Sequence, residues 1–589
     1  MQKPICLIPK STIFKSLIIS SESRVSDSSV SGYGLSTIGT GNVLCRCPWQ
    51  RRMQSLFLCK EKAVFRLLLL LTLIVPITGY GQAIDFERQT ITVALTQEPP
   101  MLNSIRSTDL VSFFILGHTN EGLLRYDRRG RLVPGVAESW KVHADRLEFR
   151  LRSDARWSDG SSVIADDFVF AWQRINDPVE AAPFAAIMYP IKNAERIQKG
   201  ELPINSLGVS AIDDHTLVVT LENPCGHCLS LMPHGSFFPV KRAFYEAAGD
   251  LYGSRPAKLL ANGPFELTSW THGASLTLSK NANYWDRDSI TLQQINIGYI
   301  TEDNRTRLNL FVDNKIALVK LGGETVKDAS SQGLRLRTFS TGGLAYLRFN
   351  VSDSSVMQHK ALRQAVQAVF DPAVFVNKVI AIPGYRPAYT FFPNWLRGAE
   401  GRFTEEYPVA PRKTDVSRGL ALVSPLRSEI TAPITLLTVA SPTGSKAAEY
   451  LQGLLKQTLD LDVRVDQQTF KQYLDKSRKA QFDIVISSWY PDYDDIMTYA
   501  DLQASWNANN RGKYMNADYD RWLRVLQGAT EPKIRMDAAA RLQDILLEDV
   551  PVLPTAETGS TYIQHPKLKG VIRRVIGQDP DFTYARVVQ

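Results

Sequence analysis

The sequence predicts an α/β protein, and three observations carry that reading. Strand-length apolar runs alternate with helix-length amphipathic stretches along most of the chain. A complete strand–helix–strand unit occupies residues 434–465, and such units build partly parallel sheets. With 589 residues, 44% hydrophobic and 22% charged, the chain has a globular composition and length for more than one core.

The first element is apolar. Residues 67–77 are interrupted only by Thr72 and Pro76; Lys60, Lys62 and Arg66 precede them, and Gly79, Tyr80, Gly81, Gln82 and Ala83 follow. A positive flank, a short apolar run and a small-residue end predict a secretory signal peptide over residues 53–83. The run is shorter than the roughly 20 residues a spanning helix needs. Residues 1–52 are rich in Ser and Gly and show no period; Met53 stands where a signal peptide begins, so residues 1–52 read as a mis-assigned or disordered leader. No cysteine lies near the expected cleavage point, so no lipid anchor is expected. Ten of the 68 basic residues and three of the 60 acidic ones lie in residues 1–83, which leaves 58 and 57, a net of +1 against +8 for the whole chain. The body is nearly neutral, with no nucleic-acid footprint.

Residues 91–96 read as a strand. In residues 145–152, Leu147, Phe149 and Leu151 alternate with Glu148, Arg150 and Arg152, the period of a half-buried strand. Residues 166–175 read as a helix opened by acidic residues, with Phe168, Trp172 and Ile175 on one face. Residues 215–222 form another strand. Later come a strand at 434–439, a helix at 445–459 with Leu451, Leu454 and Leu455 at core spacing, a strand begun by Val463 and Val465, and a short strand at 483–486.

Motifs of enzymes are missing. There is no Gly-x-Ser-x-Gly, no phosphate-binding loop and no His-Glu-x-x-His, and the eight histidines are scattered. The pair Asp494–Asp495 is not placed across a cleft by sequence alone. Catalysis, a cofactor and a resident metal are therefore not expected. Cys225-Gly226-His227-Cys228 has the Cys-x-x-Cys spacing of thiol oxidoreductases. It follows a strand within a much larger chain, and a local loop disulfide in an oxidising compartment is the plainer reading.

Several stretches resemble the extracellular solute-binding proteins of family 5, the oligopeptide and dipeptide binders of ABC importers, closest to the oligopeptide type. The resemblance rests on Ala137-Glu-Ser-Trp140, Leu147-Glu-Phe-Arg-Leu-Arg152, Ala155-Arg-Trp-Ser-Asp-Gly160, Ala165-Asp-Asp-Phe168, Trp172-Gln-Arg174 and Asp177-Pro178. Glu121-Gly-Leu-Leu124, Asn262-Gly-Pro-Phe265 with Trp270, and Asn281-Ala-Asn-Tyr-Trp285 extend it. So do Ala361-Leu-Arg-Gln-Ala365, Trp489-Tyr-Pro-Asp-Tyr493, Tyr514-Met-Asn516 and Tyr519-Asp520, in family order over roughly residues 91–585.

The resemblance implies a two-lobed periplasmic binding protein fold with an extra domain inserted in lobe I. Lobe I would comprise residues 84–124, 240–341 and 558–589, the inserted domain 125–239, and lobe II 342–557. Trp157, Asp159 and Gly160 would be scaffold. Asp492 matches the aspartate that binds a peptide's α-amino group; its bland alternative is turn capping. Ser488 and Tyr490 flank the position where family members pair with the peptide backbone. Trp489 would wall a side-chain pocket or simply pack in the core, and Leu110 lies near the corresponding lobe I contact.

The chain also departs from the pattern. A disulfide near the site in some relatives falls on Gly343 and Tyr490, an arginine on Ile486, and a ligand-contacting tyrosine on Phe184. Backbone and amine recognition look retained, whereas recognition of the peptide's far end differs. The implied role is the periplasmic, monomeric substrate-binding component of a peptide importer, with a short peptide as ligand and a permease–ATPase complex as partner. The alternatives are another solute in the same fold (murein tripeptide, nickel chelate or haem), or a periplasmic thiol oxidoreductase or chaperone using Cys225 and Cys228.

Overall fold

The computed structural model describes residues 82–589. Except for Gln82 and Ala83, the expected signal peptide and the leader before it lie outside the described residues.

Three main sheets organise the chain. The first has five strands in the order Ile84–Asp85, Thr90–Leu95, Gln294–Ile300, Ser275–Lys280 and Phe265–Thr271. Thr90–Leu95 and Gln294–Ile300 run parallel, and the other pairs are antiparallel. Ile91, Leu276, Leu278, Ile295 and Ile297 supply its fully buried core. The second sheet is antiparallel, with strands Ala137–Val142, Arg146–Leu151, Thr216–Thr220 and Val209–Asp213. Its alternation is that of the sequence: Leu147, Phe149 and Leu151 are each 1% exposed and point to one core. Helix Ala165–Asn176 buries Phe168, Trp172 and Ile175 in that same core.

The third sheet has seven strands. Six follow in the order Leu318–Leu321, Val552–Gln564, Arg337–Phe349, Ile484–Trp489, Ile434–Val439 and Val463–Gln468; Arg386–Pro387 adds to Val552–Gln564. The strand–helix–strand unit read from the sequence forms its parallel side. Its helix, Pro442–Leu459, starts three residues earlier than expected, because Ser441 caps it by accepting from the Gly444 N–H and Pro442 fits the first turn.

Two strands of this sheet, Arg337–Phe349 and Val552–Gln564, are 13 residues long and antiparallel to each other. Leu318–Leu321 pairs near one end of this ladder, at residues 561–564, and Ile484–Trp489 at the other, at residues 344–349. Leu318–Leu321 in turn leads back to the first sheet, since the Ala317 N–H donates to the Thr92 carbonyl at 2.8 Å. The ladder is thus the link between the five-stranded sheet and the parallel strands. Its register slips between Ser340 and Leu344. Gly342, inside the slip, has φ +74°, where a side chain is strained, and its carbonyl accepts from the Trp395 indole at 3.0 Å and from the Tyr499 hydroxyl.

Candidate ligand-binding site

A cavity of about 480 Å³ opens beside this ladder, a size that suits a small ligand. Much of its wall is apolar. Leu110 opens helix Leu110–Thr119, whose N-cap Asp109 accepts from the Ser112 N–H at 2.8 Å, and Phe113 and Phe114 follow one turn on. The Phe113, Phe184 and His234 rings form a triangle with centroids 5.3–6.1 Å apart. Gly235 permits it: a Cβ there would stand 2.4 Å from the Phe113 ring. Burial pushes the His234 pKa down to about 4, and its Nδ1 accepts from the Ser236 N–H, so the ring is neutral. The C-terminal segment from Arg573 to Phe582 lines the remaining side.

Of the residues singled out from sequence, Leu110, Tyr490 and Asp492 lie on the cavity wall, as does Phe184. Leu110 is 86% exposed. The Asp492 N–H donates to Thr498 Oγ1 at 3.1 Å, which fixes the loop. Its carboxylate differs: among the described residues no cation or hydrogen-bond donor engages it, and burial alone raises its pKa from 3.8 to about 6. Tyr490 lies against Gly343, where a Cβ would stand 2.7 Å from the ring. The two positions matched to a disulfide in some relatives are therefore neighbours here, one filling the space the other leaves.

Ser488 and Trp489 are not on the cavity wall. Ser488 pairs with Ala345 and is exposed, while Trp489 packs against the core around Tyr499 and Leu542, its indole N–H buried without a partner. The strand carrying them has an open side. Ile434–Val439 pairs with it only at Ile484 and Val485, and the Tyr473 hydroxyl takes the Ile486 carbonyl at 3.0 Å. From Ser487 to Trp489 that edge has no strand partner among the described residues, so its backbone groups can accept an added strand.

The motifs with the greatest sequence specificity are scaffold in geometry. Glu121 gathers three of them: its carboxylate accepts from Tyr284 at 2.5 Å and Trp285 at 2.7 Å, and its backbone exchanges hydrogen bonds with Asn262. Trp157 is buried and donates to Asp167 at 3.0 Å. Asp159 holds the turn at Gly160 by accepting from the Ser161 N–H. Asp494 and Asp495 do not act as a pair, since Asp495 forms a two-pronged ion pair with Arg535 at 2.7 and 2.8 Å and Asp494 turns to Arg397 at 3.4 Å.

Cys225 and Cys228 form a disulfide with Cα atoms 5.6 Å apart, and they are 8% and 3% exposed. The loop they close rests on the seven-stranded sheet's helices. The Gly226 N–H donates to the Gln527 carbonyl at 3.2 Å, and the buried His227 stacks on Tyr493 with centroids 5.6 Å apart.

Sequence reasoning missed the cationic side of the cavity, formed by Arg307, Lys320, Arg573 and Arg574. Arg307 and Lys320 belong to consecutive elements, while Arg573 and Arg574 come from the C-terminal segment, and no local pattern marks the group. The aromatic wall was visible only at Phe184.

Comparison with known proteins supplies the context. The chain is 29% identical over 516 residues to the periplasmic murein peptide-binding protein MppA of Escherichia coli K12, covering 85% of this chain and 93% of that one. The substrate-binding domain of an oligopeptide ABC transporter from Bacillus anthracis superposes with TM-score 0.71 at 32% identity, over 85% of this chain and 99% of that one. Listeria monocytogenes OppA bound to peptide matches with TM-score 0.71 at 28% identity, over 85% and 99%. The fold is the two-lobed α/β fold of these proteins. Residues 131–511 match the model of the bacterial extracellular solute-binding proteins, family 5 Middle, and the chain belongs to that family.

Proposed function

We propose that the protein captures short peptides outside the cytoplasmic membrane and delivers them to an ABC importer. The observation that carries this reading is Asp492, a carboxylate on the wall of a largely apolar cavity with no cation of its own. Asp492 is half-buried; a partly desolvated charge without a partner is costly, and a peptide ammonium supplies the partner. The open strand edge at residues 487–489, which ends three residues before Asp492, gives the peptide backbone its hydrogen bonds. Export through the signal at residues 53–83, a periplasmic location, a monomeric state and a permease–ATPase partner belong to the same reading. Among the described residues no helix is long and apolar enough to cross a membrane.

The proposed lobes, residues 84–124, 240–341 and 558–589 against 342–557 with 125–239 inserted, change over within the long ladder. The register slip at Gly342 and Gly343 lies at that changeover, and it is where closure around a ligand would bend the chain. The thiol oxidoreductase alternative draws no support, because exchange needs an approachable sulfur and both cysteines are buried.

The test is a double-mutant cycle. Peptides released from the purified protein are identified by mass spectrometry, then synthesised with free and N-acetylated amino termini. By calorimetry, Asp492→Asn should weaken the free peptide by about 2–5 kcal/mol and the acetylated one hardly further. Equal losses for both would remove Asp492 from amine recognition.

A further inference from the structure

Among the described residues the cavity wall carries four cations, Arg307, Lys320, Arg573 and Arg574, and two carboxylates, Asp492 and Asp579. Not all of the cations are neutralised within the protein. Arg574 is engaged by Asp581 and by the Tyr126 carbonyl at 2.7 Å. Arg573 meets Asp579 through two nitrogens, lies 4.1 Å over the Tyr562 ring and 5.0 Å over the Phe339 ring, and is 8% exposed at its side chain. Its remaining terminal nitrogen, Nη1, is buried with no hydrogen-bond partner. Arg307, 8% exposed, reaches the Thr301 carbonyl and the Asn304 amide oxygen but no carboxylate. Lys320, on strand Leu318–Leu321 and opposite Tyr562, makes neither a hydrogen bond nor an ion pair among the described residues. The surrounding protein holds its pKa below the usual lysine value; desolvation leads, Asp579 opposes, and Arg573 and Arg307 add to the lowering. Lys320 is nevertheless exposed to solvent, so its ammonium is open to an incoming group.

We propose that Lys320, Arg307 and Arg573 form an anion subsite, so that the ligand is a short peptide bearing a carboxylate at this end of the cavity. This rests on the peptide-binding reading and refines it. Of these three cations only Arg573 contacts a carboxylate, and Arg307 feels Asp303, Glu302 and Glu324 without pairing to them; a ligand carboxylate supplies a partner for Lys320 and gives Arg573 its missing acceptor. Asp492 follows Trp489, which pairs with Leu344 beside the slip, and Lys320 lies opposite Tyr562, which pairs with Arg337 on the far side of it, so an acid-bearing peptide bound to both spans the slip.

The carboxylate can be an acidic side chain or the peptide's C-terminus, and one experiment separates them. Peptides of two to five alanines, with and without one glutamate and as free acids or C-terminal amides, are titrated into wild type, Lys320→Met and Lys320→Gln. Wild type should prefer glutamate over alanine, or free acid over amide, and the preferred feature names the source. Either substitution should cost that preferred peptide about tenfold to a hundredfold in affinity, the value of a charge-assisted bond, and the uncharged counterpart little. A wild type without either preference, or variants that keep it, overturns the subsite. If Asp492→Asn still weakens free-amine peptides in that case, the peptide-binding reading stands alone. If no peptide in the set binds wild type, both fall.

Discussion

Asp492 and Asp495 stand three residues apart in one loop, and their carboxylates face opposite surroundings. Burial raises both. At Asp495 the charge and hydrogen bonds of Arg535 outweigh it and hold the pKa below the ordinary value. At Asp492 nothing opposes it, and the pKa rises to about 6. The first carboxylate is completed by the protein and the second is not. The same contrast separates the family motifs from the cavity. Glu121, Asp159 and Asp167 each accept hydrogen bonds from within the fold, whereas Asp492 and Lys320 have empty partners. Among these acidic groups, the ones that hold the fold together are satisfied in the ligand-free state and Asp492 is not.

The largest effect expected from this contrast is on stability. Arg535→Ala strands a buried Asp495 carboxylate and should cost about 3–5 kcal/mol. It also removes the hydrogen bond to the Leu526 carbonyl at 3.1 Å. Asp492→Asn should leave the ligand-free melting temperature unchanged or higher, because it deletes an uncompensated charge. Calorimetric melts of the two variants side by side decide it. Comparable destabilisation by both would erase the distinction between the two aspartates.

A smaller effect is expected at the disulfide loop, which is scaffold by the same criterion. Replacing Cys225 and Cys228 together by serine opens a loop of only a few residues. By the chain-entropy argument this costs about 2 kcal/mol, and it loosens the seat of Gly226 on Gln527 and of His227 on Tyr493. Thermal unfolding and a thiol titration of the untreated protein check both halves. Free thiols in the native protein, or a melt identical to wild type, would count against a structural disulfide.

How far the sequence reached depends on whether a signal is local. Alternation at Leu147, Phe149 and Leu151 and the helical face of Phe168, Trp172 and Ile175 were legible, because one strand or helix contains the whole pattern. Strand Ile484–Trp489 runs three residues past the apolar stretch, since Ser487 and Ser488 pair through backbone alone. The two 13-residue strands were not read. Their Thr-, Gly- and Pro-containing sequences are buried along most of their length and so show no period of two. Asp492 was legible only through its motif. Lys320 and Arg573 were not, since residues 253 apart in sequence meet through the pairing of Leu318–Leu321 with Val552–Gln564.

The finest test of the comparison is pH. A carboxylate whose folded pKa is raised contributes stability below its unfolded pKa and loses it as pH rises through the folded value; for Asp492 that window runs from 3.8 to about 6. Asp495, held low, has the opposite sign: its contribution is present above the unfolded pKa and fades as acid protonates it. Ligand binding inherits the Asp492 window. A peptide ammonium engages the ionised carboxylate, so below pH 6 each peptide must displace a proton. Affinity should be nearly flat above pH 7 and about tenfold weaker at pH 5, where roughly one site in ten is ionised. Near pH 6, calorimetry in buffers of different ionisation enthalpy should register about half a proton released per peptide bound. Asp492→Asn should bind weakly and lose this slope, which separates Asp492 from the other carboxylates near the cleft. A wild-type affinity that stays constant from pH 7.5 to 5, or a slope that survives in Asp492→Asn, would mean that the peptide amine is held elsewhere.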